Sequence, residues 1–237
     1  MWRSFRRRLN ITPLRKLILN YRELYSRWMD WRWHVDTGGS RGEDRVKGRF
    51  ADALVYEPID YVLMKRFIAL VKPTPQDIVY DIGSGAGRVL FFFSSLGVKE
   101  CVGVELSAKL IGDFEKNQKR FRAGRCPIRT VHGDAAEADY GQGTIYWMYN
   151  PFGPGTLQLV LQQLHQSVLR HPRLIRIAYA NPKHEQVLRD AGWLKCLGRD
   201  IPPLSDQGFS YWGNALDPPD PLTPVESTTL AASATSP

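Results

Sequence analysis

The chain has 237 residues, of which 43% are hydrophobic, 24% charged and 11% aromatic, and its formal net charge is +8. At about 100–200 residues per domain, this length allows one full α/β domain with appendages or two small domains; the composition excludes a chain disordered throughout. Three cysteines, Cys101, Cys126 and Cys196, form no CxxC pair, are odd in number and lie far apart in sequence. They make neither a disulfide framework nor a zinc site, no metal is expected, and they suit a reducing, cytoplasmic compartment.

The charge is uneven. Residues 1–34 hold nine Lys/Arg against Glu23 and Asp30, so this arm carries +7 and the remainder is nearly neutral. The basic balance therefore describes an appendage and does not by itself argue for nucleic-acid binding by the main domain. The longest apolar runs, such as 89–93, are far shorter than the ~18 residues of a membrane span. No secretory apolar region follows the N-terminal arginines.

Within the arm, Thr12-Pro13 reads as a helix start, and Leu14, Leu17, Ile18, Tyr21, Leu24, Tyr25 and Trp28 recur at three- and four-residue spacing. This predicts an amphipathic helix whose apolar stripe packs on its own domain, the ordinary use of such a stripe. Because Trp2, Trp28, Trp31 and Trp33 are interleaved with the basic residues, peripheral contact with a membrane or nucleic acid is the alternative. Residues 35–55 read as a loop.

From Tyr56 onward helices and strands alternate. A helix over 58–71 ends before Pro73. Apolar strands follow at 77–82, 101–104, 128–131, 144–149 and 174–179, with helical stretches between them. This pattern predicts parallel β-α-β units, a three-layer α/β domain, and a ligand beyond the carboxyl ends of the strands. A helix over 184–191 and two strands, 193–201 and 209–214, joined without a helix predict an antiparallel pair closing the sheet. The domain is expected over 56–216, with a disordered Pro/Ser/Thr-rich tail over 217–237.

Each of the first four strands ends in a chemistry-bearing element. Asp81 leads into Gly83-Ser84-Gly85-Ala86-Gly87, whose glycines let backbone approach a ligand closely. A dinucleotide fingerprint would need its third glycine where Arg88 stands, which argues against a nicotinamide oxidoreductase. Glu105 ends the second strand, at the place from which a carboxylate accepts both hydroxyls of a ribose. Gly133-Asp134 ends the third strand, and Asp134 is either an adenine acceptor or a turn cap. Tyr149-Asn150-Pro151-Phe152-Gly153 ends the fourth. His132 and His184 have no nameable partners, and His165 reads as a surface or packing residue rather than a base.

Together these spaced elements resemble the class I S-adenosylmethionine-dependent methyltransferases over about residues 56–214. The resemblance implies a Rossmann-like seven-stranded sheet, mostly parallel with an antiparallel last strand. It implies S-adenosyl-L-methionine as cofactor, with the amino-acid part near Asp81, Gly83, Ser84, Gly85 and Gly87, the ribose on Glu105 and the adenine beside Asp134. Asn150, Pro151 and Phe152 resemble the Asn/Asp-Pro-Pro-Tyr/Phe element of amino-group methyltransferases, here with a single proline. Among these enzymes the element is similar to that of the non-SET histone-lysine methyltransferases and bacterial relatives. Tyr56-Glu57 resembles their cofactor-covering segment, with the Glu adjacent to the Tyr. The implied reaction is in-line methyl transfer to an amine nitrogen, a protein lysine first, in a pocket of Tyr149, Phe152 and Trp212. A small-molecule acceptor, or a non-catalytic cofactor-binding module docked through its arm, is the alternative.

Overall fold

A computed structural model describes residues 12–39, 56–202 and 208–214. The expected tail over 217–237 and most of the 35–55 loop lie outside these residues.

Seven strands form one sheet: β1 (Ile78–Ile82), β2 (Glu100–Glu105), β3 (Ile128–His132), β4 (Ile145–Tyr149), β5 (Arg176–Ala180), β6 (Leu194–Asp200) and β7 (Phe209–Asn214). Their spatial order is β3-β2-β1-β4-β5-β7-β6. The first five run parallel, while β7 inserts between β5 and β6 and is antiparallel to both. The terminal pair is thus the expected antiparallel one, with the last strand on the inside and β6 on the edge.

Helices cover both faces: α1 (Thr12–Trp33), α2 (Tyr61–Val71), α3 (Arg88–Leu96), α4 (Ala108–Arg120), α5 (Pro154–Arg170) and α6 (Glu185–Asp190). Because strand side chains alternate, the sheet builds two cores. Trp147 and Val79 join Phe67, Phe91 and Phe93 on one face, while Tyr146 and Met148 join Leu157, Val160 and Leu164 on the other. The chain order reverses between β1 and β4, which opens the crevice where open α/β sheets bind ligands.

α1 packs on its own domain, as expected, but mainly through another face: of the expected stripe only Tyr25 packs against the core, with Ile18 half-buried. Leu14, Leu17, Tyr21, Leu24 and Trp28 face outward, and the face turned to the domain carries Arg22, Ser26, Met29, Asp30 and Trp33. Trp33 packs edge-on against Tyr61 and Phe121. The polar residues are paired. Arg22 donates through Nε to Asp60 Oδ2 at 2.9 Å, and Asp30 Oδ2 accepts from Arg88 Nη2 at 3.0 Å. A buried pair with further hydrogen bonds can fix a helix in one orientation where a greasy stripe would let it slide.

Two cysteines also meet. The Cys101 and Cys126 sulfurs are 3.8 Å apart as free thiols, so distance along the chain misrepresented their separation.

Candidate active site at the carboxyl ends of the parallel strands

β1 delivers Asp81 to the crevice, and the chain then turns through Gly83, Gly85 and Gly87, all at positive φ. The turn is pinned by the Gly83 and Ser84 N–H groups, both donating to the Val104 carbonyl of β2. All three glycines are required by space as well as by φ, a Cβ on Gly87 falling 2.5 Å from the Phe114 ring. A Cβ on Gly83 would lie 2.7 Å from Pro151, and one on Gly85 would fall on the ring of Tyr56. Gly87 caps the N-terminus of α3.

Glu105, at the end of β2, is held from two sides. Its Oε2 accepts from Gly85 N–H at 2.7 Å and its Oε1 from Ser107 N–H at 2.9 Å, and the Leu106 N–H also bonds the carboxylate. Burial pushes this carboxyl up, and the N–H groups of Ser107, Gly85 and Leu106 pull against that push. Asp81 is more extreme: burial, reinforced by the Glu105 charge, holds it well above the ordinary carboxylate range. Its carboxylate accepts no hydrogen bond among the described residues. A buried carboxyl without a donor is costly, and a ligand ammonium would satisfy it.

Asn150 ends β4 in the left-handed region, at φ 41°. It is buried, and its Oδ1 accepts from the Tyr179 hydroxyl at 2.9 Å. Tyr179 OH in turn accepts from the His184 N–H, and burial lifts the phenol to about 12, so it stays a donor to Asn150. Asp81, Gly83, Glu105, Asn150 and Pro151 line one cavity of about 350 Å³, closed by Tyr56 and Glu57. That volume lies within the range of small-molecule sites.

A polar brace ties this cavity to α1. Arg88, the residue that breaks the dinucleotide fingerprint, is buried against the cavity. It donates through Nε to Thr37 Oγ1 at 2.7 Å and through Nη1 to the Ile59 carbonyl at 3.0 Å. Thr37 donates to Asp30, and its carbonyl accepts from Tyr56 OH at 2.8 Å. Tyr56, which lies against Gly85, is therefore positioned through Thr37 by a helix of the arm. Beyond Glu57 and Tyr149 a wider cleft of about 900 Å³ opens between α1 and residues 57–60.

Several expected residues lie elsewhere. Phe152 and Trp212 are buried in the core on the far face of the sheet, so of the expected aromatic pocket only Tyr149 reaches the cavity. Phe152 stands three residues beyond Tyr149, and that odd separation turns it to the opposite face of the sheet. Ser84 turns its Oγ onto Gly103, where it is buried without a partner. Asp134 is not among the lining residues, and its Oδ1 caps Ala136 N–H at 2.9 Å. His165 stacks on Trp193 with ring centroids 4.7 Å apart, as a packing residue would. Trp147, Asn181 and Lys183 line the cavity unforeseen. Asn181 had a signal, since Asn181-Pro182 ends β5 just as Asn150-Pro151 ends β4, and both asparagines have positive φ.

An open sheet of this strand order, with a carboxyl-end cavity built from a glycine turn and two acids, has the class I methyltransferase fold. It is similar to an RNA methyltransferase from Salinibacter ruber in complex with S-adenosyl-L-homocysteine, with a TM-score of 0.53, 21% identity, and 71% of this chain and all of that one covered. It is likewise similar to TrmN from Thermus thermophilus, with a TM-score of 0.54, 15% identity, and 66% of this chain and 49% of that one covered. The family model for the histone methylation protein DOT1 matches residues 49–133, from before the glycine turn through Glu105 but short of Asn150. A protein-lysine N-methyltransferase of Saccharolobus islandicus (strain REY15A) is 32% identical over 96 residues, which is 40% of this chain and 58% of the relative. The chain thus spans little more than half of that relative. The chain therefore has the class I methyltransferase fold, and its sequence is similar to the DOT1 family over residues 49–133 and to that lysine methyltransferase over 96 residues.

Proposed function

We propose that the chain is an S-adenosylmethionine-dependent methyltransferase acting on an amine nitrogen, with a protein lysine as acceptor, and that it works in the cytoplasm. The observation that carries this reading is the convergence of Asp81, Glu105 and Asn150 on one cavity at the end of the parallel strands. The donorless buried carboxyl of Asp81 fits an ammonium group, and the Glu105 carboxylate at the end of β2 fits the hydroxyls of a ribose. Phe152, on its placement, is left out of the catalytic set, and Asp134, whose Oδ1 caps Ala136 N–H, stays the proposed adenine acceptor. When bound, S-adenosylmethionine supplies a methyl group on a sulfonium.

The residues of the chain then have one task, orientation, which is worth up to ~7–11 kcal/mol in well-aligned systems. An acceptor amine must turn its lone pair toward the methyl carbon, so its hydrogens must be held elsewhere. Asn150 Oδ1 and the Pro151 carbonyl are the available acceptors, and the Tyr179 hydroxyl fixes which way the Asn150 amide faces.

The test is turnover of Asn150 variants on a protein fraction with tritiated cofactor. Asn150→Ala should lower turnover by about a hundredfold or more, the ~2.7–4 kcal/mol of one lost transition-state contact, with cofactor affinity nearly unchanged. Asn150→Asp can still accept from an amine but raises its pKa, so partial activity should recover as pH rises. Equal loss in both variants at every pH would reject amine positioning by Asn150. Labelling confined to small molecules would reject the protein acceptor.

A further inference from the structure

The face of α1 that turns away from the domain is the strongest unassigned feature of the molecule. Leu14, Leu17, Tyr21, Leu24, Trp28 and Trp31 form one stripe at alternating three- and four-residue spacing, and each is exposed, from 47% for Trp28 to 72% for Trp31. Six large apolar residues in one line are not the scattered exposure of an ordinary surface. The helix has already satisfied its domain on the opposite face, through Met29, Trp33 and the Arg22 and Asp30 ion pairs. No described helix is long and apolar enough to cross a membrane, so a bilayer contact would be made along the helix rather than through it.

Charge and side-chain shape select the occupant. The stripe is flanked by Arg27 and Arg32, with Arg32 stacked over the Trp28 ring at 5.8 Å, and neither acid of the helix stands on it. Glu23 lines the cleft, and Asp30 is buried against Arg88. A second copy laid along this seam would set arginine against arginine, and it would have to fit tyrosine and two tryptophans into holes that suit Leu or Ile. The stripe covers fewer than the ~3–4 heptads that a coiled coil sustains. An anionic lipid surface meets both demands: it takes tryptophan and tyrosine at the headgroup level, and it attracts the flanking arginines and those at 3, 6, 7 and 8.

We propose that α1 is a peripheral membrane anchor, lying in the plane of an anionic bilayer surface with the Leu14-to-Trp31 stripe in the headgroup region. Trp31 also lines the cleft that adjoins the cavity, so docking sets the rim of that cleft along the lipid surface. This assignment stands whether or not the acceptor is a lysine.

The experiment is flotation of the full chain with phosphatidylcholine vesicles, with and without one quarter phosphatidylglycerol. It is paired with quenching of tryptophan fluorescence by lipids brominated near the headgroup. The chain should float with the anionic vesicles and bind neutral ones at least tenfold more weakly. Binding should weaken further at high salt, and tryptophan should be quenched on binding. Leu17→Glu with Leu24→Glu should lower binding at least tenfold while melting temperature stays unchanged, since neither residue touches the domain-facing side. Failure to bind anionic vesicles, or binding without quenching, would overturn the assignment. So would binding that the double substitution leaves intact. A dimer in solution that the same substitutions dissociate, without vesicle binding, would instead give the stripe to a second copy.

Discussion

The glycine turn and α1 handle polarity in opposite ways. At the turn, local sequence and final placement agree: glycines sit where backbone must pass Pro151 and Tyr56, and acids end strands and face a cavity. In α1 they disagree, because an apolar stripe lies outside while Arg22, Ser26 and Asp30 are inside. A turn is decided by a few residues with restricted conformations. The side a helix buries is decided by the surface offered to it, and here that surface presents Asp60, Arg88 and the Tyr61 hydroxyl.

The largest effect expected from this contrast is at the brace. Asp30→Ala leaves the Arg88 guanidinium buried without its carboxylate, and such a loss typically costs ~3–5 kcal/mol. Denaturant unfolding should register it, and a loss below about 1 kcal/mol would show that α1 is not held by polar pairing. Next in size is Glu105→Ala, which removes two acceptor oxygens at the cavity. Calorimetry with S-adenosylhomocysteine should show a weakening of about 1.5–3 kcal/mol, the scale of hydrogen bonds to a charged group.

A smaller effect should follow pH. Since Asp81 is held above its ordinary value of 3.8, the folded ligand-free chain binds a proton that the unfolded chain releases. Its contribution to stability therefore falls as pH rises through the interval between the two values, by up to about 1.4 kcal/mol per pH unit. A ligand ammonium favours the ionised form, so the rise in melting temperature given by S-adenosylhomocysteine should grow with pH over that interval. Asp81→Asn should flatten the trend. The smallest effect belongs to the stripe: Leu24→Ser should change unfolding free energy by less than about 0.5 kcal/mol, as at exposed sites. A loss of 2 kcal/mol or more, the cost of a buried leucine, would restore the packed-stripe reading.

Most of the fold was legible because the strands are short apolar runs punctuated by Gly, Pro and Asn, and the acids and glycines at their ends mark the open side of the sheet. What escaped was set by contacts distant in sequence. Nothing local distinguishes Arg88 from the other arginines until Asp30 and Thr37 are brought to it. Phe152 escaped because its odd, three-residue separation from Tyr149 turns it to the other face, away from the cavity that Tyr149 lines. Tyr179 reads as one more strand aromatic until its hydroxyl is seen on Asn150.

The brace also imposes an order on biosynthesis. Asp30 and Arg88 are 58 residues apart in the chain. At ~5–20 residues per second, roughly 3–12 s separate translation of the helix from translation of the arginine that locks it. During that interval the nascent helix has neither its buried partners nor its docked orientation, and both of its sides are open to whatever surface lies near the ribosome.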